Sequence, residues 1–291
     1  MKILLENNQL CLEVSKFGGH IDRLYNKETR FEHYWAYDPE LWPRRTSVCF
    51  PICGRLKDDE YVYNGERYNL PMHGFLREQL FEIATQSGTH VVFSMESSEN
   101  SRKNYPFDFI FLLEYRLEGN SLIAIYTVKN TGTTQMPFST GSHYTYRIPV
   151  SNSEIFDDYE FVFSKVQKAS RFIIENGQIT GKSTDFFMGR DRIPLKGLFG
   201  KGSVTLDCTE LTDSQVSLLN RKTGTHTTVQ FDGYHFCVLW APKDQSPFVC
   251  IEPWTGIAHT NANDINICSK LGMVLLNPGE QRKFCQKIIL D

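Results

Sequence analysis

Four short segments place ionisable side chains where the backbone must turn or stop. In Phe248-Val249-Cys250-Ile251-Glu252-Pro253-Trp254-Thr255-Gly256, a carboxylate ends an apolar run that reads as a buried strand. Charged groups are rarely placed there without a partner or a purpose. Pro253 is expected to hold Glu252 extended and to stop the strand, and Trp254 offers a flat apolar surface beside it. In Ser139-Thr140-Gly141-Ser142-His143-Tyr144-Thr145-Tyr146, strand alternation puts His143 on one face and Tyr144 on the other. The unperturbed pKa of histidine lies nearest neutrality, which suits His143 to holding and releasing a proton. By itself it reads equally as a hydrogen-bonded histidine on a sheet face.

His73 stands between Met72 and Gly74 in Pro71-Met72-His73-Gly74-Phe75-Leu76-Arg77-Glu78. A loop imidazole there can donate to a ligand hydroxyl without competing in a backbone ladder, although a packed or solvated residue fits the same pattern. In Phe50-Pro51-Ile52-Cys53-Gly54-Arg55-Leu56, Gly54 frees the backbone before a guanidinium whose five donors suit oxygen-rich ligands. A surface arginine after a turn is the plainer reading of Arg55. A glutamate ending an apolar strand should be partly desolvated, which raises its pKa, and a nearby arginine would oppose that; a modestly raised value is expected for Glu252.

The elements that must position these groups are short strands. Asn64-Gly65 between Tyr61-Val62-Tyr63 and Glu66-Arg67-Tyr68 is a two-residue hairpin signal, because Asn-Gly tolerates the positive φ angles of a type I′ turn. Phe107 to Leu117 and Leu122 to Lys129 flank Glu118-Gly119-Asn120-Ser121, and Asp232-Gly233 separates Thr227 to Phe231 from Tyr234 to Trp240 as another tight turn. A helical turn is conceivable only near Leu211 to Leu219. Many short strands punctuated by Gly, Asn and Pro predict an all-β chain, a large antiparallel β-sandwich, and with no linker or repeat a single domain over 1–291.

Composition narrows the function. A net charge of −3 gives no general drive toward nucleic acid or anionic membrane, and no run approaches ~18 apolar residues, so neither partner is expected. Eight cysteines in a long chain whose N-terminus meets Glu6 before any signal-peptide core favour reduced thiols and a cytoplasmic protein. Cys49 and Cys53 have no second Cys/His pair at zinc spacing, so no metal is expected. Gly-x-Ser-x-Gly, Walker A and Gly-x-Gly-x-x-Gly segments are missing, which removes the common hydrolase and nucleotide-binding motifs.

Taken in order, the stretches FPICGRL, MHGFLRE, GSH and FVCIEPWTG resemble the aldose 1-epimerase (galactose mutarotase) family, and most closely its LacX-like branch. The resemblance implies a galactose mutarotase-like sandwich with an open sugar cleft and no cofactor. It implies that Glu252 takes the proton of the C1 hydroxyl and His143 protonates the ring oxygen. Arg55 and His73 would hydrogen-bond the sugar, with Trp254 beside it. The family commonly has proline after its catalytic histidine, where Tyr144 stands here. It also carries a sugar-contacting aspartate where Leu198 to Val204 supplies no acid. Three other readings stay open: a non-catalytic carbohydrate-binding protein, a hexose-6-phosphate 1-epimerase relying on Arg44, Arg45 or Lys57 at the cleft rim, and a two-carboxylate glycosidase needing an acid such as Asp232 opposite Glu252. The particular sugar and the oligomeric state are not encoded in these motifs.

Overall fold

Phe109, Phe111, Leu113, Tyr115 and Leu117 recur at every second position of Phe109–Glu118, and all five are buried while the residues between them stay half-covered. That period of two is a strand with one face on a core. The computed structural model describes residues 1–44, 47–175, 178–200, 202–211, 213–259 and 264–291. Among them, strands dominate and helix is confined to short turns.

Two antiparallel sheets face each other. The nine-stranded sheet runs in the order Arg192–Pro194, Tyr159–Val162, Gln215–Asn220, His226–Gln230, Gln281–Leu290, Ser121–Asn130, Phe109–Glu118, His90–Glu96, Glu82–Gln86. The seven-stranded sheet runs Gln178–Asp185, Ser170–Glu175, Val204–Asp207, Phe236–Trp240, Phe248–Trp254, Gly141–Arg147, Ser47–Cys49. A four-stranded sheet of Lys2–Glu6, Leu10–Ser15, Ile21–Asn26 and Phe31–Glu32 accompanies them.

The expected all-β sandwich is therefore found, and the hairpins with it. Asn64 and Gly65 both take positive φ, as a type I′ turn demands, and Tyr63 pairs with Glu66. Glu118 pairs with Ser121 around Gly119. Three local expectations are corrected. Pro253 does not stop its strand, which runs Phe248–Trp254 with Pro253 opposite Cys237 and Trp254 opposite Phe236. Asp232-Gly233 does not close a hairpin: His226–Gln230 lies in the nine-stranded sheet and Phe236–Trp240 in the seven-stranded one. The dipeptide turns the chain from one layer to the other, which a local signal does not distinguish from strand return. The described residues of 211–219 are not helical either. A 3₁₀ turn at Cys208–Glu210 precedes the strand Gln215–Asn220, whose Val216 and Leu218 face the core at period two.

The seven-stranded sheet is covered on both faces. Along Phe248–Trp254 every residue is buried, but alternate ones go to different places. Val249 and Ile251 join the core between the sheets, whereas Phe248, Cys250 and Trp254 pack in smaller clusters on the outer face. Glu252 shares the parity of the outer set. Tyr144 and Tyr146 likewise enter the main core, which leaves His143 on the outer side. Tyr144, standing where the family has proline, makes a core contact: its hydroxyl lies 2.5 Å from that of Tyr126 and 3.2 Å from that of Tyr115 across the sandwich. Its backbone pairs in register with Ile251.

Candidate active site

The register of the seven-stranded sheet assembles the site on its outer face. Thr205 pairs with Val238, and Val238 with Glu252. On the other side of Glu252, Tyr144 opposite Ile251 brings His143 alongside. The imidazole Nε2 and the carboxylate Oε2 end 3.5 Å apart, close but not hydrogen-bonded. Among the described residues, neither Glu252 Oε2 nor His143 Nδ1 has a hydrogen-bond partner, although both side chains are buried. Buried polar atoms are normally satisfied, and these two belong to side chains that line one cavity.

The cavity holds about 610 Å³ and is lined, among others, by Trp42, Arg44, Arg55, His73, Arg77, Thr205, Val238, Trp240 and Trp254. Aromatic rings fix His143 from several directions. Trp42 stacks on it at 5.1 Å, Trp240 meets it edge-on at 5.7 Å, and His73 lies edge-on at 5.2 Å. Trp254 in turn contacts His73 at 5.3 Å, and its indole N–H donates to the Ser142 carbonyl at 2.8 Å. That anchor requires Gly141, since a Cβ there would lie 2.5 Å from the Trp254 ring.

His73 is held by its own loop. Its backbone N–H donates to the Gly54 carbonyl at 2.9 Å and its carbonyl accepts from Phe50 at 3.2 Å. The Gly54 N–H donates to His73 Nδ1 at 3.2 Å, with Cys49 Sγ 3.4 Å from the same nitrogen. Accepting from a backbone N–H leaves the ring proton on Nε2. His73 is thus set as a donor, the role expected of it for a sugar oxygen. The next residue, Gly74, takes φ 71° with its Cα against the Phe50 carbonyl, where a Cβ would come within 2.1 Å. Gly74→Ala should therefore cost roughly 1–3 kcal/mol through strain and clash. A melting temperature unchanged from the parent would show that the Phe50–Gly74 contact does not hold the His73 loop.

Burial governs the charges. It pushes the Glu252 carboxyl well above its ordinary 4.5, with Cys237 and Cys53 adding to the rise. It pushes His143 down to about 3, helped by the positive charge of Arg77, and His73 well below 6.5. The modest rise expected for Glu252 is corrected to a large one. Arg55, the arginine expected to oppose it, is half-exposed at the rim with its Nε 3.6 Å from Asp59. The charge of Arg77 falls instead on the two histidines. Each member of the Glu252–His143 pair is driven toward its neutral form, and the pair then holds one proton.

His143, Cys250 and Glu252 also present ligand atoms within 4.8 Å of one another, a donor set that could take a soft divalent cation. Lys270 is buried below the loop wall, where its amine donates to the carbonyls of Ile257 and Cys53 and so ties two cavity-lining turns together.

All five expected site residues, Glu252, His143, His73, Arg55 and Trp254, line this one cavity. Trp42, Trp240 and Arg77 were not foreseen. Trp42 sits in an irregular stretch with no periodicity to orient it, and Trp240 reads as core. Arg77 closes the His73 segment, where a charge beside Phe75-Leu76 was the available signal. Of the expected basic rim, Arg44 lines the cavity, Lys57 does not, and Arg45 lies outside the described residues. Near the place of the family aspartate, Ser203 and Thr205 line the cavity; Asp207 turns away to cap the Thr209 amide at 3.0 Å.

The model of the aldose 1-epimerase family matches residues 1–288. The chain belongs to the aldose 1-epimerase family. Among its relatives in that family is the plasmid-encoded LacX protein of Lactococcus lactis subsp. lactis, 30% identical over 277 residues, which span 92% of this chain and 91% of LacX. A galactose mutarotase related enzyme from Lactobacillus acidophilus superposes with a TM-score of 0.94 at 30% identity, covering 100% of this chain and 97% of the other. A galactose mutarotase-like protein from Lactobacillus casei gives 0.93 at 25% identity, with full coverage of both chains. As an aldose 1-epimerase family member, the chain has the galactose mutarotase-like fold.

Proposed function

We propose that the protein is an aldose 1-epimerase that interconverts the α and β anomers of an aldohexose by opening and reclosing the ring. The observation that carries this reading is the Glu252–His143 pair: an acid and a base with orphaned atoms, 3.5 Å apart in an aromatic-walled cavity. Glu252 as carboxylate takes the C1 hydroxyl proton while His143 as imidazolium gives one to the ring oxygen, so the C1–O5 bond breaks and an aldehyde forms. The pair is then Glu252 carboxylic acid and neutral imidazole. Rotation about C1–C2 presents the other carbonyl face. Closure returns the proton from Glu252 to the C1 oxygen and the O5 proton to His143, restoring the starting pair.

Both arrangements contain one proton, so no exchange with solvent is needed within a turnover. The neutral arrangement favoured by burial is the one that closure requires. His73, protonated on Nε2, donates to a sugar oxygen, and Arg55 reaches the same ligand from the rim. Trp254, Trp42 and Trp240 supply apolar faces against which the C–H groups of a pyranose pack. No cofactor enters this route.

Polarimetry on freshly dissolved α-D-galactose and α-D-glucose tests the reading. The protein should hasten the approach to equilibrium and leave the final rotation unchanged. A rate equal to that of buffer alone, with the sugar nonetheless bound, would identify a non-catalytic carbohydrate-binding protein.

A further inference from the structure

The sheet that carries Glu252 continues past it, away from His143, into cavity wall that the proton transfers leave unused. Val238 pairs with Glu252 on the next strand, and Thr205 pairs with Val238 on the one after. Neighbouring strands lie about 4.8 Å apart, so His143, Glu252, Val238 and Thr205 form a row across the outer face. The last two strands of the same sheet, Ser170–Glu175 and Gln178–Asp185, extend it. Ile174 and Ile179 pair across that hairpin, and both line the cavity together with Val238, Ser203 and Thr205. Ile179 and Val238 are buried in one apolar cluster, against which Ile174 packs.

A bare ring hydroxyl is a poor match for this wall. It would meet the hydrocarbon of Val238 and leave the two isoleucines uncovered. Apolar surface gains from burial only against a carbon-bearing group, and a polar group enclosed there needs hydrogen bonds. Thr205 and Ser203 supply hydroxyls, each able to donate and to accept, from the strand region between Val238 and the isoleucine hairpin. A short planar amide ending in a methyl suits both features: its N–H and C=O meet the hydroxyls and its methyl meets Ile174 and Ile179. The cavity of about 610 Å³ has room for such a substituent beside the ring.

We infer that this wall is a subsite for an acylamino group on C2, and that the substrates of the protein include 2-acetamido-2-deoxyhexoses. The placement rests on the epimerase reading given above, in which Glu252 faces the C1 hydroxyl and His143 the ring oxygen. C1 has two ring neighbours, O5 and C2. With O5 at His143, on one side of Glu252, C2 falls on the other side, where the sheet presents Val238 and then Thr205. Ring opening breaks only the C1–O5 bond, so the amide stays intact and the subsite serves binding and orientation.

Anomer exchange measured by NMR on N-acetyl-D-glucosamine and D-glucose, with N-acetyl-D-galactosamine and D-galactose beside them, tests the proposal. The wild-type protein should show kcat/KM for at least one N-acetyl sugar about tenfold or more above that for its parent hexose, as one buried methyl and one amide hydrogen bond predict. D-Glucosamine, which has the nitrogen without the acyl group, should show no such gain. Ile174→Thr, at a half-buried position of the hairpin, should cut the ratio of N-acetyl to parent sugar by about threefold or more, because the methyl then meets a hydroxyl. Thr205→Val, which keeps the shape and removes the hydroxyl, should cut the same ratio. Equal kcat/KM for N-acetyl and parent sugars in the wild type overturns the proposal. So do a gain that D-glucosamine shares in full and a ratio that both variants leave unchanged. Should no sugar be turned over, the epimerase reading fails by itself, and calorimetric binding to the wild-type protein decides the subsite. Tighter binding of the N-acetyl sugar upholds it, and equal affinities reject it.

Discussion

Replacing Glu252 by glutamine is expected to lower kcat for mutarotation by roughly 10²–10⁴-fold while raising the melting temperature at neutral pH. The two effects have one cause. Burial holds the Glu252 carboxyl well above 4.5, so the folded protein resists the ionised form on which proton abstraction depends. Below about pH 4.5 the carboxyl is protonated in both folded and unfolded chains and imposes no penalty. As pH rises toward the folded value, the unfolded chain ionises first and stability is lost. Glutamine keeps the shape of the side chain without that titration, so its advantage in melting temperature should be near zero at pH 4 and widen as pH rises. Sugar binding should survive, since His73, Trp254 and the arginines are untouched. Activity within threefold of the parent would remove Glu252 as the base. A loss of activity with a lower melting temperature at every pH would point instead to structural damage.

Substitution of His143 by glutamine should cost a comparable roughly 10²–10⁴-fold, and the pH profile gives the sharper test. Kinetics on the free enzyme should report the one-proton state of the Glu252–His143 pair, with two apparent pKa values that belong to the pair. The lower value lies near 3, because burial and the charge of Arg77 both oppose the imidazolium, and the upper is the raised value of Glu252. In the wild type kcat/KM should therefore stay flat above the lower limb near 3 and fall off only at a second limb, displaced upward from the ordinary carboxylate range. A limb centred near 6.5 would mean that His143 titrates as an exposed imidazole. The same depression predicts a stability effect of definite sign. An unfolded histidine takes a proton at 6.5 and the folded one does not until about 3, so wild-type stability falls as pH drops through that window. The glutamine variant should be spared His143's share of that loss.

Much of this was written in residue types. The period of two in Phe109–Glu118 and the Asn64-Gly65 turn specify strands and hairpins because both are local: side-chain alternation and allowed φ depend on neighbours in sequence. Glu252 was legible for the same reason, being an acid at the end of an apolar run and held extended by Pro253. Tyr144 could be assigned to the face opposite His143 from alternation alone, and its core hydroxyl contacts with Tyr126 and Tyr115 agree with that.

What sequence could not supply was distance across strands. The 3.5 Å approach of His143 to Glu252 depends on register between strands more than a hundred residues apart in the chain, and no local pattern encodes a register. The extent of desolvation is equally non-local. It comes from Trp42, Trp240 and the second face of the sheet closing over the pair, which turned an expected modest shift of Glu252 into a large one. The same holds for the arginines. Sequence offered Arg55 as a sugar ligand and Arg44, Arg45 and Lys57 as rim cations, and tertiary structure placed Arg55 on Asp59 and buried Arg77, which sequence had not singled out, beside the histidines. Sequence alone pointed to the candidate residues, through their setting and the family resemblance, and to the strands that bear them, through alternation and turn stereochemistry. Tertiary structure decided their separations and the direction of their proton affinities, because those depend on packing between segments remote in the chain.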